Sequence, residues 1–512
     1  MSWEQTKDIR AKLSRETGAV TKDWGGKLPV ALIYPNSYYL GMSNLGIQAI
    51  YRLLNERPDC VCERVFWTPS DTEPPLAMES QRPLTDFAVL AFSVSYELDY
   101  FNVAQIIKAA GIPLFSKDRD ETHPVVIAGG PCMTANPMPL APFFDCIGIG
   151  EAEALLPGII PLLKEGVSED REALLKSLAE VPGIFVPRYA VGPVARQWLA
   201  DLDSSPAHST VLTRNTELGD MYMIEIQRGC RFGCRFCLVS CAFRPARFRS
   251  LESLLAQAQT GLKYRKRLGL VGPAVTDHPR IEELVTRLSA IGAQISLSSL
   301  RIKPLPPLVL GKVVRGGTRT VALAPEAGSQ RLRTFIHKGI DEDDILKAVG
   351  KVAVAGAKQL KLYFMVGLPT ETDGDIEEMA RLVKACRDIM AKPSPASRIT
   401  LTVAPFVPKA GTDFQREGMA PVAVLKQRLI LLKRLLTGTG INIKNESIEW
   451  SEVQAALSRG DGRLAPVMAD MDVVSLAEWA RAADEAGLDL DFYAHRKWGS
   501  KQELPWAPQL SP

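Results

Sequence analysis

The residues most capable of chemistry are Cys230, Cys234 and Cys237, in the run Gly229-Cys230-Arg231-Phe232-Gly233-Cys234-Arg235-Phe236-Cys237. Three thiolates on one short loop are a ligand set for an iron–sulfur cluster. A 4Fe–4S cluster has four irons, so three cysteines leave one iron open, and an open metal position is where a substrate or cofactor reacts. Two other readings compete. Counting Cys241, the spacing becomes Cys-x3-Cys-x2-Cys-x3-Cys, which could close the cluster with four ligands, as in a non-enzymatic electron-transfer protein. The bacterial ferredoxin run, however, has a shorter first gap and a proline after its fourth cysteine. Here Ala242 follows, and an electron carrier needs nothing like 512 residues, so Cys241 reads as a bystander. Zinc is weaker still, because no matched Cys or His pair sits at zinc-ligand spacing elsewhere.

The elements that must position this loop alternate between strand and helix. Val30–Tyr34, Phe87–Val94, Val125–Ala128 and Cys146–Ile149 are apolar runs of strand length, with helical patterns at Ile47–Asn55, Tyr100–Ala110 and Glu151–Lys164. That alternation predicts an α/β fold beginning with a Rossmann-like doubly wound parallel sheet, expected over 28–184. A mixed connector covers 185–219. A second series follows, with strands expected at Met223–Gln227, Leu268–Val271, Ile295–Leu300, Thr320–Leu323, Leu360–Val366 and Ile399–Val403. Helical patterns such as Leu251–Arg265, Ile281–Ile291 and Ile376–Met390 separate them. Six βα units in a row predict a partial (β/α)6 barrel over 220–420. Residues 421–512 then read as a small, mostly helical subdomain, with a helix at Val422–Leu436, an extended stretch at Ile441–Trp450 and helices at Glu452–Leu457 and Leu476–Ala486.

At the cysteine loop the chain resembles the radical S-adenosylmethionine (radical SAM) superfamily, whose signature is Cys-x3-Cys-x2-Cys with an aromatic residue before the third cysteine, here Phe236. The resemblance implies that SAM chelates the open iron, that one electron breaks a carbon–sulfur bond, and that the resulting 5′-deoxyadenosyl radical abstracts hydrogen from a substrate. It also implies a (β/α) barrel with the loop after its first strand. Barrel chemistry gathers at the carboxyl ends of strands, and the family-like stretches fall there. Gly272 stands where Gly-Gly-Glu is common, although the glutamate is missing. Ser298-Ser299-Leu300-Arg301 resembles a methylthiotransferase-like stretch, and hydroxyls with a guanidinium suit the ribose and carboxylate of SAM. Glu326, in Ala324-Pro325-Glu326-Ala327-Gly328-Ser329, can accept hydrogen bonds from a ribose diol or an ammonium group. Gly367-Leu368-Pro369-Thr370-Glu371-Thr372 is family-like near the adenine, with Thr370 or Thr372 also a natural helix cap. The stretch Pro405–Thr412 carries no clear catalytic role. Arg228, Arg231, Arg235, Arg244, Arg247 and Arg249 flank the cysteines and read as solvated charge that also offsets a negative cluster.

A Rossmann-like domain ahead of such a barrel resembles the cobalamin-dependent radical SAM class. The matching stretches are Tyr34–Tyr38, Gly41-Met42-Ser43, Ser93-Val94-Ser95, Gly129-Gly130-Pro131 and Gly148-Ile149-Gly150-Glu151-Ala152-Glu153. Ser93, Gly129, Gly130 and Gly150 are the expected cofactor contacts, since glycines let backbone approach a large flat cofactor. The Asp-x-His-x-x-Gly motif of cobalt-ligating domains is missing, and many members of the class lack it too. A methylthiotransferase would add a second three-cysteine cluster, and Cys60, Cys62, Cys132 and Cys146 lack that spacing. In the C-terminal part, Leu457-Ser458-Arg459-Gly460-Asp461 and Leu504-Pro505-Trp506 resemble an uncharacterised branch of radical SAM proteins with this domain order.

Composition bounds the rest. The net charge of +3 argues neither for nucleic acid nor for an anionic membrane, and no nucleic-acid module is recognisable. No secretory leader and no apolar run of membrane-spanning length is expected. Nine cysteines in so long a chain suit a reducing cytoplasm. The reading is therefore a cytoplasmic radical SAM enzyme with a 4Fe–4S cluster and SAM, served by a reductant such as ferredoxin or flavodoxin. With cobalamin, methyl transfer to an unactivated carbon follows; without it, radical rearrangement or coupling does. The substrate is not legible.

Overall fold

The structure, a computed structural model, describes residues 3–68, 73–167, 170–189 and 192–506; the side chain of Cys241 lies outside the described residues. The first sheet has six strands: β1 (Leu28–Tyr34), β2 (Cys60–Phe66), β3 (Val89–Ser93), β4 (Val125–Gly129), β5 (Cys146–Gly148) and β6 (Ile184–Phe185). Their order is β2-β1-β3-β4-β5-β6. The first five run parallel and β6 pairs antiparallel with β5. Strand order reverses between β1 and β3, which leaves a crevice at the carboxyl ends of the strands.

β2 was not anticipated from the sequence, because its centre is charged. Arg64 is fully buried there, held by Glu16 at 2.6 Å and Glu79 at 2.7 Å. Glu63 accepts from the indole of Trp24 at 2.9 Å and from the Ser80 amide at 3.0 Å. Partnered in this way, the charges are tolerated inside a strand.

The six strands of the second series are all present, distributed over two parallel sheets. β7 (Met221–Glu225), β10 (Arg267–Val271) and β11 (Gln294–Leu297) form one, in the order β11-β10-β7. β12 (Thr320–Glu326), β13 (Gln359–Val366), β14 (Arg398–Pro405) and β15 (Asn442–Asn445) form the other. Between β7 and β10 a short antiparallel pair, β8 (Gln227–Arg228) and β9 (Arg247–Phe248), closes a loop. Amphipathic helices separate the strands, and side-chain caps start several of them: Ser250 caps 251–262, Asp341 caps 342–354 with a reciprocal bond from Asp344, and Thr372 does the same for 373–391 with Asp375.

The C-terminal part differs from expectation in two ways. β15 hydrogen-bonds to β14, so the βα pattern continues past residue 420. Only Asn442–Asn445 is extended; Ser447 then caps a helix at Ile448–Arg459, because a side-chain oxygen ahead of an apolar periodic run is a helix start. This helix, with Leu464–Asp470 and Leu476–Glu485, packs back on the first domain, where the Phe101 ring meets Trp479 at 5.4 Å and Trp450 at 6.4 Å. One apolar core thus joins the N-terminal sheet, the β12–β15 sheet and the C-terminal helices. Among the described residues no helix is long and apolar enough to cross a membrane.

Candidate active site

The cysteine loop hangs from the β8–β9 pair, in which Arg228 faces Arg247 and Gln227 faces Phe248. Gly229 opens it at φ +75°, and a side chain there would overlap the Phe243 carbonyl, so the loop is pinched shut at its root. Cys230, Cys234 and Cys237 are free thiols, each half-buried. They sit on a tight turn in which the Cys237 amide donates to the Cys234 carbonyl at 3.0 Å and the Ser240 hydroxyl donates to the Cys237 carbonyl at 2.6 Å. Burial pushes the thiols of Cys234 and Cys237 up, while Lys338 pulls Cys234 the other way.

A single zinc ion with thiolates at roughly 2.3 Å needs its sulfurs within about 4.6 Å of each other. Among the described residues these three do not gather to 4.8 Å. In an iron–sulfur cluster each cysteine takes its own iron, and three half-buried thiolates on one loop are such a donor set.

Arg235 anchors the loop from below. Its guanidinium lies 5.0 Å from the centroid of Phe335 and 4.5 Å from that of Phe414, and its amide donates to the Ile336 carbonyl at 3.1 Å. Phe236 packs into the patch made by Ala327, Leu332, Ile336, Leu368, Phe406 and Phe414.

The strand ends above the loop converge on it. Ser298 and Ser299 donate to the Gly272 carbonyl at 3.2 and 2.9 Å, so both hydroxyls tie β11 to the turn after β10. Arg301 lies over the Phe232 ring at 3.3 Å, with its Nε 3.7 Å from Asp277. Glu326 ends β12 at φ +70° and accepts from Lys338 Nζ at 3.0 Å; a non-glycine held in this region is strain that clusters at functional sites. Thr370 shares that strain at φ +67° and is held by Arg331. Thr372, rather than Thr370, caps the helix. Glu371 is turned inward, accepting from the Gly367 amide at 2.6 Å and from Arg428 at 3.0 Å.

Sequence reasoning missed Asp277, Lys338 and Phe232. The Asp277 side chain is 1% exposed and neither oxygen has a hydrogen-bond partner; Arg231 and Arg301 stand off at 3.9 and 3.7 Å. Burial accordingly raises its pKa. It lies five positions beyond Gly272, too far to be read as the missing glutamate of that turn.

The flanking arginines divide. Arg231 and Arg244 are exposed, as read. Arg228, Arg247 and Arg249 are not solvated: Arg228 reaches Glu151 at 2.8 Å, Glu153 at 2.9 Å and Glu225 at 2.9 Å, Arg247 reaches Glu151 at 2.6 Å and Arg249 reaches Glu225 at 2.6 Å. Buried charges persist only when paired, and this closed set bolts the root of the loop to the N-terminal domain.

That domain carries a cavity of about 420 Å³ at the carboxyl ends of β3, β4 and β5. Ser93, Gly129, Gly130 and Gly150 all line it. Most of its lining is apolar and comes from the sheet and from the helices Leu45–Glu56 and Ala152–Gly166. Glu225, Arg228 and Phe243 also line it, which places it beside the root of the cysteine loop. The volume is that of a small-ligand site. Gly129, Gly130, Gly148 and Gly150 leave backbone bare in the lining, where a flat ligand could approach, and among the described residues no histidine lines the cavity.

Two family models match the chain: the N-terminal model of radical SAM proteins over residues 46–187 and the radical SAM superfamily model over 224–383. An uncharacterised protein of Methanocaldococcus jannaschii is 32% identical over 85% of this chain and 89% of its own length. An uncharacterised methyltransferase of Pyrococcus horikoshii is 24% identical, covering 61% of this chain and 68% of its own. The ribosomal protein uS12 methylthiotransferase RimO of Salinispora tropica is 26% identical over 41% of this chain and 45% of its own. Among solved structures, the cobalamin-dependent SAM radical enzyme OxsB with aqua-cobalamin and SAM bound superposes with a TM-score of 0.51 at 13% identity, over 93% of this chain and 64% of that one. The chain thus spans just under two thirds of OxsB, with which it shares a fold.

Proposed function

Because the chain belongs to the radical SAM superfamily, we propose that it is a radical SAM enzyme that holds a 4Fe–4S cluster on Cys230, Cys234 and Cys237 and uses cobalamin to methylate an unactivated carbon. When bound, the cluster supplies the electron that breaks a carbon–sulfur bond of SAM, and cobalamin supplies the methyl group. The observation that carries the reading is spatial: Glu225, Arg228 and Phe243 line the cavity, and Arg228 also belongs to the β8–β9 pair from which the cysteine loop hangs.

The chain's own residues then bind and orient. Arg301 and Asp277, side by side at 3.7 Å, complement the carboxylate and ammonium of SAM's methionine end. Glu326, steadied by Lys338, accepts from the ribose diol. Phe236 and its apolar patch keep water from the underside of the loop. The reading carries no second cluster, since Cys60, Cys62, Cys132 and Cys146 lack the spacing of a three-cysteine ligand set. Similarity to OxsB and to an uncharacterised methyltransferase supports the cobalamin arm.

The test is anaerobic reconstitution with hydroxocobalamin, desalting and spectroscopy. Retained corrinoid absorbance is expected. A desalted protein that cleaves SAM but holds no corrinoid would keep the radical chemistry and remove methyl transfer.

A further inference from the structure

Among the carboxylates between the cavity and the cysteine loop, Glu151 alone bridges both arginines of the loop-root pair, Arg228 and Arg247. Its side chain is 3% exposed. One oxygen accepts from Arg228 at 2.8 Å, from Arg247 at 2.9 Å and from the Leu199 amide at 3.0 Å; the other accepts from Arg247 at 2.6 Å. Arg228 and Arg247 are the facing pair of the ladder from which the entire loop 229–246 hangs. Behind Glu151, Gly150 sits at φ +129° with no room for a side chain against Gln197 backbone, and its amide donates to Thr134 at 3.1 Å. The backbone that presents Glu151 is therefore fixed.

The same residues are walls. Gly150, Glu151, Glu153, Glu225, Arg228 and Phe243 line the cavity. Three guanidiniums (Arg228, Arg247, Arg249) meet three carboxylates (Glu151, Glu153, Glu225), so the set is charge-balanced and closed.

We propose that Glu151 is a positioning residue that couples occupancy of the N-terminal cavity to the placement of the cysteine loop, through Arg228 and Arg247. This rests on the cluster and corrinoid reading above. Coupling of this kind is reciprocal and typically about 5–150-fold: cluster loading tightens corrinoid binding by the factor by which corrinoid favours the loaded loop.

The probe is aquacobalamin, its affinity measured by equilibrium dialysis with cobalt analysis on iron-loaded and iron-stripped full-length protein. Loaded wild-type protein is expected to bind at least about fivefold more tightly. In Glu151→Gln, which keeps the shape and removes the charge, the ratio is expected to fall toward one at wild-type iron content. A global loss of stability would weaken both states alike and leave the ratio unmoved. Arg247→Lys, which keeps the charge and loses the fork, is the second variant should Glu151→Gln not fold, with the same expected loss of ratio. A ratio of one in wild-type protein, or an unchanged ratio in the variant, overturns the coupling alone. Failure of either wild-type state to bind aquacobalamin overturns the coupling and the corrinoid reading together.

Discussion

Gly129 and Gly130 are neighbours on the cavity rim, and replacing each with alanine should have opposite consequences. Gly130 has φ +112° and ψ 175°, a region open essentially to glycine alone. An added Cβ would overlap the Val94 carbonyl oxygen and lie 3.1 Å from the Val94 nitrogen and carbonyl carbon, backbone atoms that cannot rotate away. At Gly129 the same atom would meet only the Gly148 carbonyl, at 3.9 Å. Backbone strain of about 1–3 kcal/mol and overpacking of about 1–3 kcal/mol put Gly130→Ala near 4 kcal/mol destabilising, a large share of the roughly 5–15 kcal/mol typical of a folded protein. Gly129→Ala should change stability by less than about 1 kcal/mol, with the loss of a flexible residue offsetting any contact. Because Ser93 pairs with Gly129 and the Val94 amide donates to the Gly129 carbonyl at 2.9 Å, the clash at Gly130 also spreads the β3 and β4 ends that form the rim. Urea denaturation and aquacobalamin retention would be measured on both variants. Gly130→Ala should lose stability and with it corrinoid, whereas Gly129→Ala should keep its stability and lose corrinoid only if a flat ligand rests on that backbone. Equal losses of stability, or a Gly130→Ala penalty below about 1 kcal/mol, would refute the assignment of Gly130 as a glycine-only position.

Alanine at Cys230, Cys234 or Cys237 should take iron from about four atoms per chain toward none, whereas Cys241→Ala should leave it unchanged; iron and sulfide analysis after reconstitution distinguishes them. Arg459 is completely buried and donates to the carbonyls of Gln415, Glu417, Tyr493, Ala494 and Arg496. With about 1 kcal/mol or more for each of the five stranded carbonyls, Arg459→Met should cost on the order of 5 kcal/mol and speed amide exchange over 415–419 and 493–498. Burial pushes Asp99 up to about 6, even though Asn36 donates to it. A raised carboxyl pKa means that the native state holds the proton longer, so stability should fall by up to about 3 kcal/mol as pH rises from 4 to 6. Asp99→Asn should flatten that part of the urea-midpoint profile.

What the sequence disclosed follows from how local each signal is. The cysteine loop was legible because ligand spacing is a property of a few adjacent residues. The parallel strands were legible because strands covered on both faces read as apolar runs. β2 was not, since Glu63 and Arg64 break that run and their partners Trp24, Glu16 and Glu79 lie far away in sequence. The flanking arginines were misjudged for the same reason: basic residues beside a loop look solvated, and only the fold brings Glu151 and Glu153 to Arg228. Gly129, Gly130 and Gly150 were singled out through family likeness, while the positive φ angles of Gly130 and Gly150 and the cavity all three line emerge only in three dimensions. Asp277 carried no local signal, because what marks it is burial without a hydrogen-bond partner.

The most direct test is whether the reconstituted, chemically reduced protein cleaves SAM under anaerobic conditions, followed as 5′-deoxyadenosine. Formation of deoxyadenosine by the wild-type protein, and none by a variant with Cys230, Cys234 and Cys237 all replaced by alanine, is the result expected. A fully loaded, reducible cluster that leaves SAM intact would contradict an open iron and return Cys241 to the ligand set of an electron carrier.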